Sequence, residues 1–557
     1  MKKNLALAIS VSVAATLLVA FGGFYVVLPA INLQSEGFYV YLAAILAAFI
    51  LPFFFLCKKE YILISKESKT RINMKDNVLP KWAIAIIAVP LVVLVLGGFV
   101  SSEVFNARAY AEIISVREAD FSEDMPETEN VTNIALMDSD TASVVGSRTL
   151  GSLANVVSQY GVAGRYSQIN YRHTPKKVAD LEYLDFFKWL NNRDKGIPGY
   201  VMVDPVKNSA EYVELSEPMR YSASGYFGDN LYRKLRFDYP TRIFESIYFE
   251  IDESGQPYYV VSCTRPQVAL FGAHDVEEVI IFNPIDGSSE IYVVEEKTPS
   301  WIDCVYTGDL ACQKYDWFGC LSGGFFNSII GNVGCKQTTS DYGYIVIADD
   351  VWYFTGVTSV TSDASNIGFI LSNARTGEYV FYPVVGADEY SAMGAAQGEV
   401  QEKAYVASFP SLVNIKGQAT YIMVLKDANS IVKLYALVNV ENYSIVATGT
   451  TQDAAMAEYQ RLLLQNSILS EEDVKEPEKL YDSTTVTVTA IQILTIDGNS
   501  VLYLKDENGV FYKGSFSEDE SLILIAEGDR ITLRYDLTDR EEIRKIISWE
   551  RAAEENR

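Results

Sequence analysis

Three long apolar runs dominate the first hundred positions, and shorter, alternating patterns fill the rest. No charge occurs between Lys3 and Glu36, and residues 5–28 are almost wholly apolar. Uncharged runs follow at 37–57 and 82–102. Each reaches the roughly 20 residues that a helix needs to cross about 30 Å of hydrocarbon. The pattern predicts three transmembrane helices. The first run also fits a cleaved signal peptide, with Lys2 and Lys3 as its basic start. Its apolar core is long for that, and no A-x-A site follows, so a retained helix is preferred.

Basic residues predict the orientation. Lys2 and Lys3 precede the first run, and seven more crowd the short loop 58–81 (Lys58, Lys59, Lys66, Lys69, Arg71, Lys75, Lys81). The stretch 29–37 has none. Positive charge stays on the cytoplasmic side, which puts the N-terminus inside and everything after Ser102 outside. Trp82, Phe38, Tyr39 and Tyr41 fall where interfacial aromatics belong. Pro52 and Pro90 predict packing kinks. No span contains an ionisable residue, which argues against a transporter.

Beyond Ser102 the periods shorten. Residues 103–117 keep a helical pattern and predict a stalk, completing a membrane anchor over 1–117. The acidic stretch 120–130 predicts a linker. Residues 131–245 predict a small α/β domain: a strand at 133–137, a helix capped by Asp140, a strand at 166–171, a helix at 183–192, and strands at 199–203 and 211–215. Residues 246–467 predict an α+β domain with a weak internal repeat. In it, Val279-Ile-Ile-Phe-Asn-Pro-Ile-Asp-Gly-Ser-Ser-Glu-Ile-Tyr matches Phe369-Ile-Leu-Ser-Asn-Ala-Arg-Thr-Gly-Glu-Tyr-Val-Phe-Tyr. Both read as strand, Asn-x-x-x-Gly turn, strand. Helices are predicted at 387–403 and 451–464. The layout resembles that of PepSY-type modules, which are mostly non-catalytic.

An acidic linker at 470–479 precedes residues 482–550. There short strands are predicted at 485–494, 500–505, 510–515, 522–526, 530–535 and 543–548, with turns at 497–499, 506–509 and 527–529. That spacing predicts a small closed barrel of the OB type. The fold class is therefore multi-domain: three transmembrane helices, an α+β ectodomain, and a C-terminal OB-like β-barrel.

Charge narrows the partners. Up to Ser101 nine basic residues face four acidic ones, a balance of +5, so the remainder carries −31 against −26 for the whole chain. Nucleic-acid affinity comes from Lys and Arg neutralising phosphates, so DNA and RNA are excluded as partners. The expected partners are the cell membrane, envelope proteins and cell-wall components.

Of six cysteines, Cys57 ends the second run and Cys263 stands alone. Cys304, Cys312, Cys320 and Cys335 fall within 32 residues, which suggests local disulfides among those four. On one helix Cys304 and Cys312 would lie about 12 Å apart, too far to bond, so any pairing involves loops or other elements. No C-x-x-C occurs, and the two histidines, His173 and His274, read as turn or surface residues. Asp138-Ser-Asp140-Thr141 has the wrong spacing for a haloacid-dehalogenase start, and the cap reading of Asp140 is preferred. Asp506-Glu-Asn-Gly509 lacks the regular ligands of a calcium loop and reads as a hairpin turn. The Gly-rich stretch 323–331 has no Lys-Ser/Thr and is no phosphate loop. No catalytic, cofactor-binding or metal-binding residue is assigned, and no cofactor is expected.

The chain resembles an uncharacterised family of membrane-anchored proteins from clostridia and related Firmicutes. Ser115-Val-Arg-Glu-Ala-Asp-Phe, residues 133–151 and 199–205, and Asp350-Val-Trp-Tyr-Phe-Thr-Gly-Val-Thr-Ser-Val carry the resemblance. Members are sometimes labelled colicin V production or twin-arginine signal proteins. This sequence supports neither label, having no Arg pair at its start and a far larger polar region. The resemblance implies a Gram-positive surface location. The expected function is a non-catalytic binding or scaffold protein of the cell envelope, held at the membrane. The alternative is a carboxylate-dependent envelope enzyme acting on cell-wall glycan or peptide, since acidic residues are abundant throughout.

Overall fold

The computed structural model describes residues 2–67, 79–128, 131–294, 298–360, 362–428, 431–470, 481–496, 499–516, 519–536 and 543–552. The loop 68–78 and the acidic linker from 471 onward lie outside the described residues, as does most of the 497–499 turn. The chain forms two compact units, Met1–Leu462 and Leu463–Arg557.

The first unit opens with three helices long and apolar enough to cross a membrane: Leu5–Val27, Glu36–Leu56 and Lys81–Ser101. The turn between the first two lies against the polar domain. There Ile31 N donates to Pro240 O (2.7 Å) and Asn32 Nδ2 to Thr241 O (2.9 Å). The third helix ends on the same domain, where Ser101 Oγ accepts from Leu270 N and Phe271 N, both at 3.0 Å.

The predicted stalk breaks at once. Ser102 is extended, the following helix Glu103–Ala111 is kinked at Asn106, and Val116–Glu118 is a strand pairing in parallel with Tyr379–Tyr382. The predicted linker is docked as well. Phe121 and Met125 are buried in the core and Asn414 Nδ2 donates to Met125 O (2.7 Å). An acidic composition predicted solvent here, but two apolar anchors four residues apart decide the outcome.

Four mainly antiparallel sheets come next. The first contains Tyr160–Val162 and Ser167–Tyr171 side by side on Thr174–Tyr183, then Ile197–Asp204 and Ser209–Met219. The second is a meander of Ile243–Ile251, Pro257–Val268, Gly272–Phe282 and Ser289–Val293. In the third, Lys336–Thr338 and Gly343–Ile347 share one edge of Asp350–Ser359, followed by Ser362–Asn373 and Tyr379–Tyr382. In the fourth, Val406–Ala407 and Ser411–Ile415 share one edge of Gln418–Lys426, followed by Val432–Asn439 and Val446–Gly449. A helix precedes each sheet: Ser139–Gly151, Leu231–Asp238, Gly308–Leu321 and Glu389–Glu399.

The repeat read from two hairpins runs through all four sheets. The turn from third to fourth strand opens with Asp204, Asn283, Asn373 or Asn439. Each side chain accepts a nearby backbone N–H, from Val206, Ile285, Arg375 and Asn442 respectively, at 2.8–3.0 Å. Such Asx turns satisfy the backbone locally and fix the hairpin. In three of the four turns the next carbonyl is also claimed by the chain entering from outside: Tyr221 N to Pro284 O, Tyr306 N to Ala374 O, and Ala387 N to Val440 O, each at 2.8–2.9 Å.

One apolar core joins the first and second sheets (Val178, Tyr200, Val201, Phe249, Tyr259, Ile280), so it spans both sides of residue 245. Another joins the third and fourth (Phe354, Phe369, Leu371, Tyr421, Met423). Two local expectations fail near the start of the first. Residues 133–137 form no strand, only a 3-10 turn at Val131–Asn133 and irregular chain. The cap of Ser139–Gly151 is Asp138, which accepts from Thr141 N (2.9 Å), rather than Asp140.

The second unit is a closed five-stranded barrel. Its wall runs Tyr481–Ile496, Asn499–Asp506, Phe511–Ser515, Ile543–Arg551, Arg530–Asp536 and back to the first strand. Val486, Val488, Leu502, Leu504, Tyr512, Ile531 and Leu533 fill it. The strand predicted at 522–526 is instead a 3-10 helix, Glu520–Leu524, capped by Asp519. Its Leu522 is buried against Gly514, leaving no room there for a β-carbon.

Candidate functional site

Within the first unit, three sheets expose edge strands to one another and enclose a cleft of about 810 Å³. Its walls are Gln168 and His173–Lys177 of the first sheet, Gly343–Ile347 of the third, Phe409–Val413 of the fourth, the irregular segment 134–138 and the first residues of the helix Ser139–Gly151.

Lys176 and Lys177 lie on the strand Thr174–Tyr183, where neighbours face opposite ways. Lys176 is neutralised by Asp204 (2.6 Å). Lys177 is 4% exposed. Its side chain forms no hydrogen bond or ion pair among the described residues, and its ammonium stands 5.4 Å from the centre of the Tyr344 ring. Burial drives its pKa down to about 8, an effect that Asp138 and Cys304 only partly oppose. The amine therefore remains largely protonated at neutral pH, and Lys177 lines the cleft with donors that no described side chain takes up.

The acidic groups around the cleft are mostly engaged. Asp138 pairs with Lys426, Asp204 with Lys176, and Glu127 with Lys416 (2.9 Å). Asp341 accepts from the adjacent Tyr342 N (3.0 Å). Asp140 and Lys207 are exposed. Tyr342, Tyr344 and Tyr353 form an aromatic cluster with ring centroids 5.3–6.0 Å apart.

Beneath Lys177 runs a sealed polar network. Glu250 accepts from Asp303 N (2.9 Å) and Cys304 N (3.0 Å), Asp303 accepts from Asn170 N (2.7 Å), and Cys304 Sγ donates to Gln168 O (3.4 Å). Burial raises Glu250 to about 7 and pushes Asp303 and the Cys304 thiol well above their usual ranges. None of the three lines the cleft. Their hydrogen bonds hold the chain before Gly308–Leu321 onto the first two sheets.

His173 sits at the rim, its Nδ1 2.8 Å from Asp349 Oδ1, in a turn where Arg172 and His173 both have positive φ. His274 lies on the second sheet opposite Pro266 and does not reach the cleft. Cys263, Cys304, Cys312, Cys320 and Cys335 are free thiols. Of the four expected to bridge, Cys304 is held at Gln168, and burial lifts the Cys312 thiol to about 12. Cys320 and Cys335 come together, with Cys335 Sγ 3.6 Å from Cys320 O. Among the described residues no three His, Cys, Asp or Glu side chains are grouped to hold a metal.

Lys177 was missed from sequence, although a signal existed. Two adjacent lysines in a strand bounded by Val178 and Ala179 must send one side chain inward.

No family model matches the chain, and no curated protein matches it. Among solved structures, a Bombyx mori GH32 β-fructofuranosidase in complex with sucrose aligns at 11% identity and a TM-score of 0.18. That alignment covers 64% of this chain and 61% of the enzyme. A B. megaterium levansucrase aligns at 8% identity and 0.16, covering 76% of this chain and 97% of the other. At such scores neither likeness informs the fold or the activity of this chain.

Proposed function

We propose that this protein is a membrane-held, extracytoplasmic binding or scaffold protein of the cell envelope, whose cleft receives an acidic group of its partner. Lys177 carries this reading. A buried, protonated amine with no counter-ion in direct contact is costly, and a carboxylate or similar anion entering the cleft would pair with it. The edge of Gly343–Ile347 suits an extended partner segment, which adds main-chain hydrogen bonds along a sheet edge; that of Ser411–Ile415 is already taken at Asn414, whose carbonyl accepts from Thr128 N (2.8 Å). The basic segment 58–81 between the second and third spans supports the extracytoplasmic placement of the sheets.

The alternative, a carboxylate-dependent envelope enzyme, needs two free acids facing each other. Asp138, Asp204 and Glu127 are each held by a lysine, which favours binding. We read the helix-and-sheet units as PepSY-like, and the barrel, from its 1-2-3-5-4 strand order, as OB-like. Neither reading specifies a ligand.

The test is in-cell crosslinking of the tagged full-length protein, with identification of the molecules that co-purify. Lys177→Met should lose an envelope component that the wild type and Lys207→Met retain. Equal capture by all three would rule out the cleft as the binding site.

A further inference from the structure

Nineteen consecutive residues, Trp317 to Cys335, carry no charge, in a chain otherwise rich in acids. The helix Gly308–Leu321 ends inside this stretch and gives way to a compact loop with its apolar side chains turned outward. Phe326 is 73% exposed, Ile329 59%, Ile330 78% and Val333 80%. The loop is built rather than loose. Asn327 is its internal tie, donating to Val333 O (2.9 Å) and accepting from Val333 N (3.2 Å), and Cys335 is buried beneath it. Side chains that could fold inward are thus presented outward by a fixed backbone.

Its position explains the exposure. Trp317 Nε1 donates to Glu103 Oε1 (3.0 Å), two residues past the third membrane helix, and the Trp317 ring meets Tyr110 edge-on at 5.0 Å. Tyr110 OH donates to Ser101 O (2.7 Å), the last residue of that helix. Leu321 packs with Tyr110, Val268 and Ala273. The neighbouring hairpin tip, Leu270 and Phe271, reaches down to Gly97, one turn inside the span, where a β-carbon would meet Phe271 at 2.5 Å. The helix Gly308–Leu321 therefore delivers its C-terminal end, and the loop after it, to the level at which the third span leaves the bilayer.

A second apolar flank lies beside the first span. Phe237 is 52% exposed and contacts the rings of Phe24 (5.3 Å) and Tyr25 (6.3 Å), with Phe227 (57% exposed) nearby in the chain. Arg233 fixes this flank by donating to Tyr25 O (3.2 Å).

From this we infer that residues 325–333 insert into the interfacial layer of the same bilayer that holds the three helices. Phe326, Ile329, Ile330 and Val333 are the inserting side chains, and Phe237 is the counterpart on the other flank. An uncharged, aromatic-bearing surface at headgroup level partitions into that layer. Two such contacts flanking the spans restrict the tilt of the sheets on the membrane. The cleft plays no part in this inference.

The experiment uses the full-length protein in nanodiscs containing a phospholipid with a diazirine on its acyl chain. After illumination, adducts are mapped by peptide mass spectrometry. Adducts on 322–335 as well as on the three spans are expected, with loss of the loop adducts in Phe326→Ser/Ile330→Ser while the spans stay labelled. Adducts confined to the spans would overturn the inference. So would a loop unlabelled by lipid but crosslinked to a second copy of the chain, because the surface would then be a protein interface. The wild-type map decides the matter even if the double variant fails to fold.

Discussion

The Tyr306 ring lies on Gly377, so close that a β-carbon there would stand 2.8 Å from the ring, and Tyr221 covers Gly287 in the same way at 2.6 Å. Both glycines have left-handed backbone, φ +72° and +79°. Both close an Asx turn begun by Asn373 or Asn283. The two positions are one device used twice: an aromatic ring from the preceding segment seats on the turn while its backbone N–H bonds the turn's carbonyl.

Gly377→Ala therefore meets two penalties, an unfavourable φ and a clash with the ring. A loss of about 2 kcal/mol in folding stability is expected, read from denaturant unfolding of the full-length protein in detergent. In a Tyr306→Ala background the same change should cost less, because only the backbone strain remains.

Glu389 makes the stability of the third sheet pH-dependent. Its carboxylate is fully buried, accepts from Gly356 N (2.6 Å) and from Thr339 Oγ1 (3.1 Å), and is pushed up to about 7 by burial. The folded value lies above the unfolded one of 4.5. Its contribution is therefore full below about pH 4.5 and is lost as pH rises through 7. Glu389→Gln should gain relative to wild type across that window, by at most about 3 kcal/mol. Paired unfolding curves from pH 4.5 to 8 check the sign, and a constant difference would contradict it.

Lys177 has the opposite linkage. Its folded pKa, about 8, lies below the unfolded 10.5, so its contribution is present above 10.5 and is lost as pH falls through 8. Lys177→Met should be more stable than wild type at pH 7, by up to about 3 kcal/mol, and the advantage should vanish towards pH 10.5. A stabilised variant that no longer captures its partner would separate the cleft's role from folding.

Cys320 and Cys335 are the pair that oxidation can join. Mild oxidant should remove alkylation at these two positions and leave Cys263, Cys304 and Cys312 reactive after denaturation, as read by peptide mass mapping. Bridges involving Cys304 would require the Glu250–Asp303 network to open.

Contiguous signals in the sequence already determined much of this protein. Three uncharged runs specify helices because a bilayer-length apolar segment has no other low-energy form. The 279–292 and 369–382 hairpins were legible because Asn and Gly fix a turn locally, and five barrel strands were legible from alternation between turns. Asp204 and Asn439 open equivalent turns but lack the Gly, so the fourfold repeat stayed hidden until the sheets were seen side by side. Residues 103–117 read as a helical stalk and 120–130 as a solvated linker because the strand Tyr379–Tyr382, which pairs with Val116–Glu118, and the pocket for Phe121 and Met125 come from segments hundreds of positions away. Asp138 displaced Asp140 as the helix cap because Lys426, on another sheet, rewards the earlier residue with an ion pair. The cleft itself, with Lys177 left unpaired between three sheets, is a product of tertiary structure alone. Burial and the distance to a counter-charge depend on which surfaces meet, and no local pattern records that.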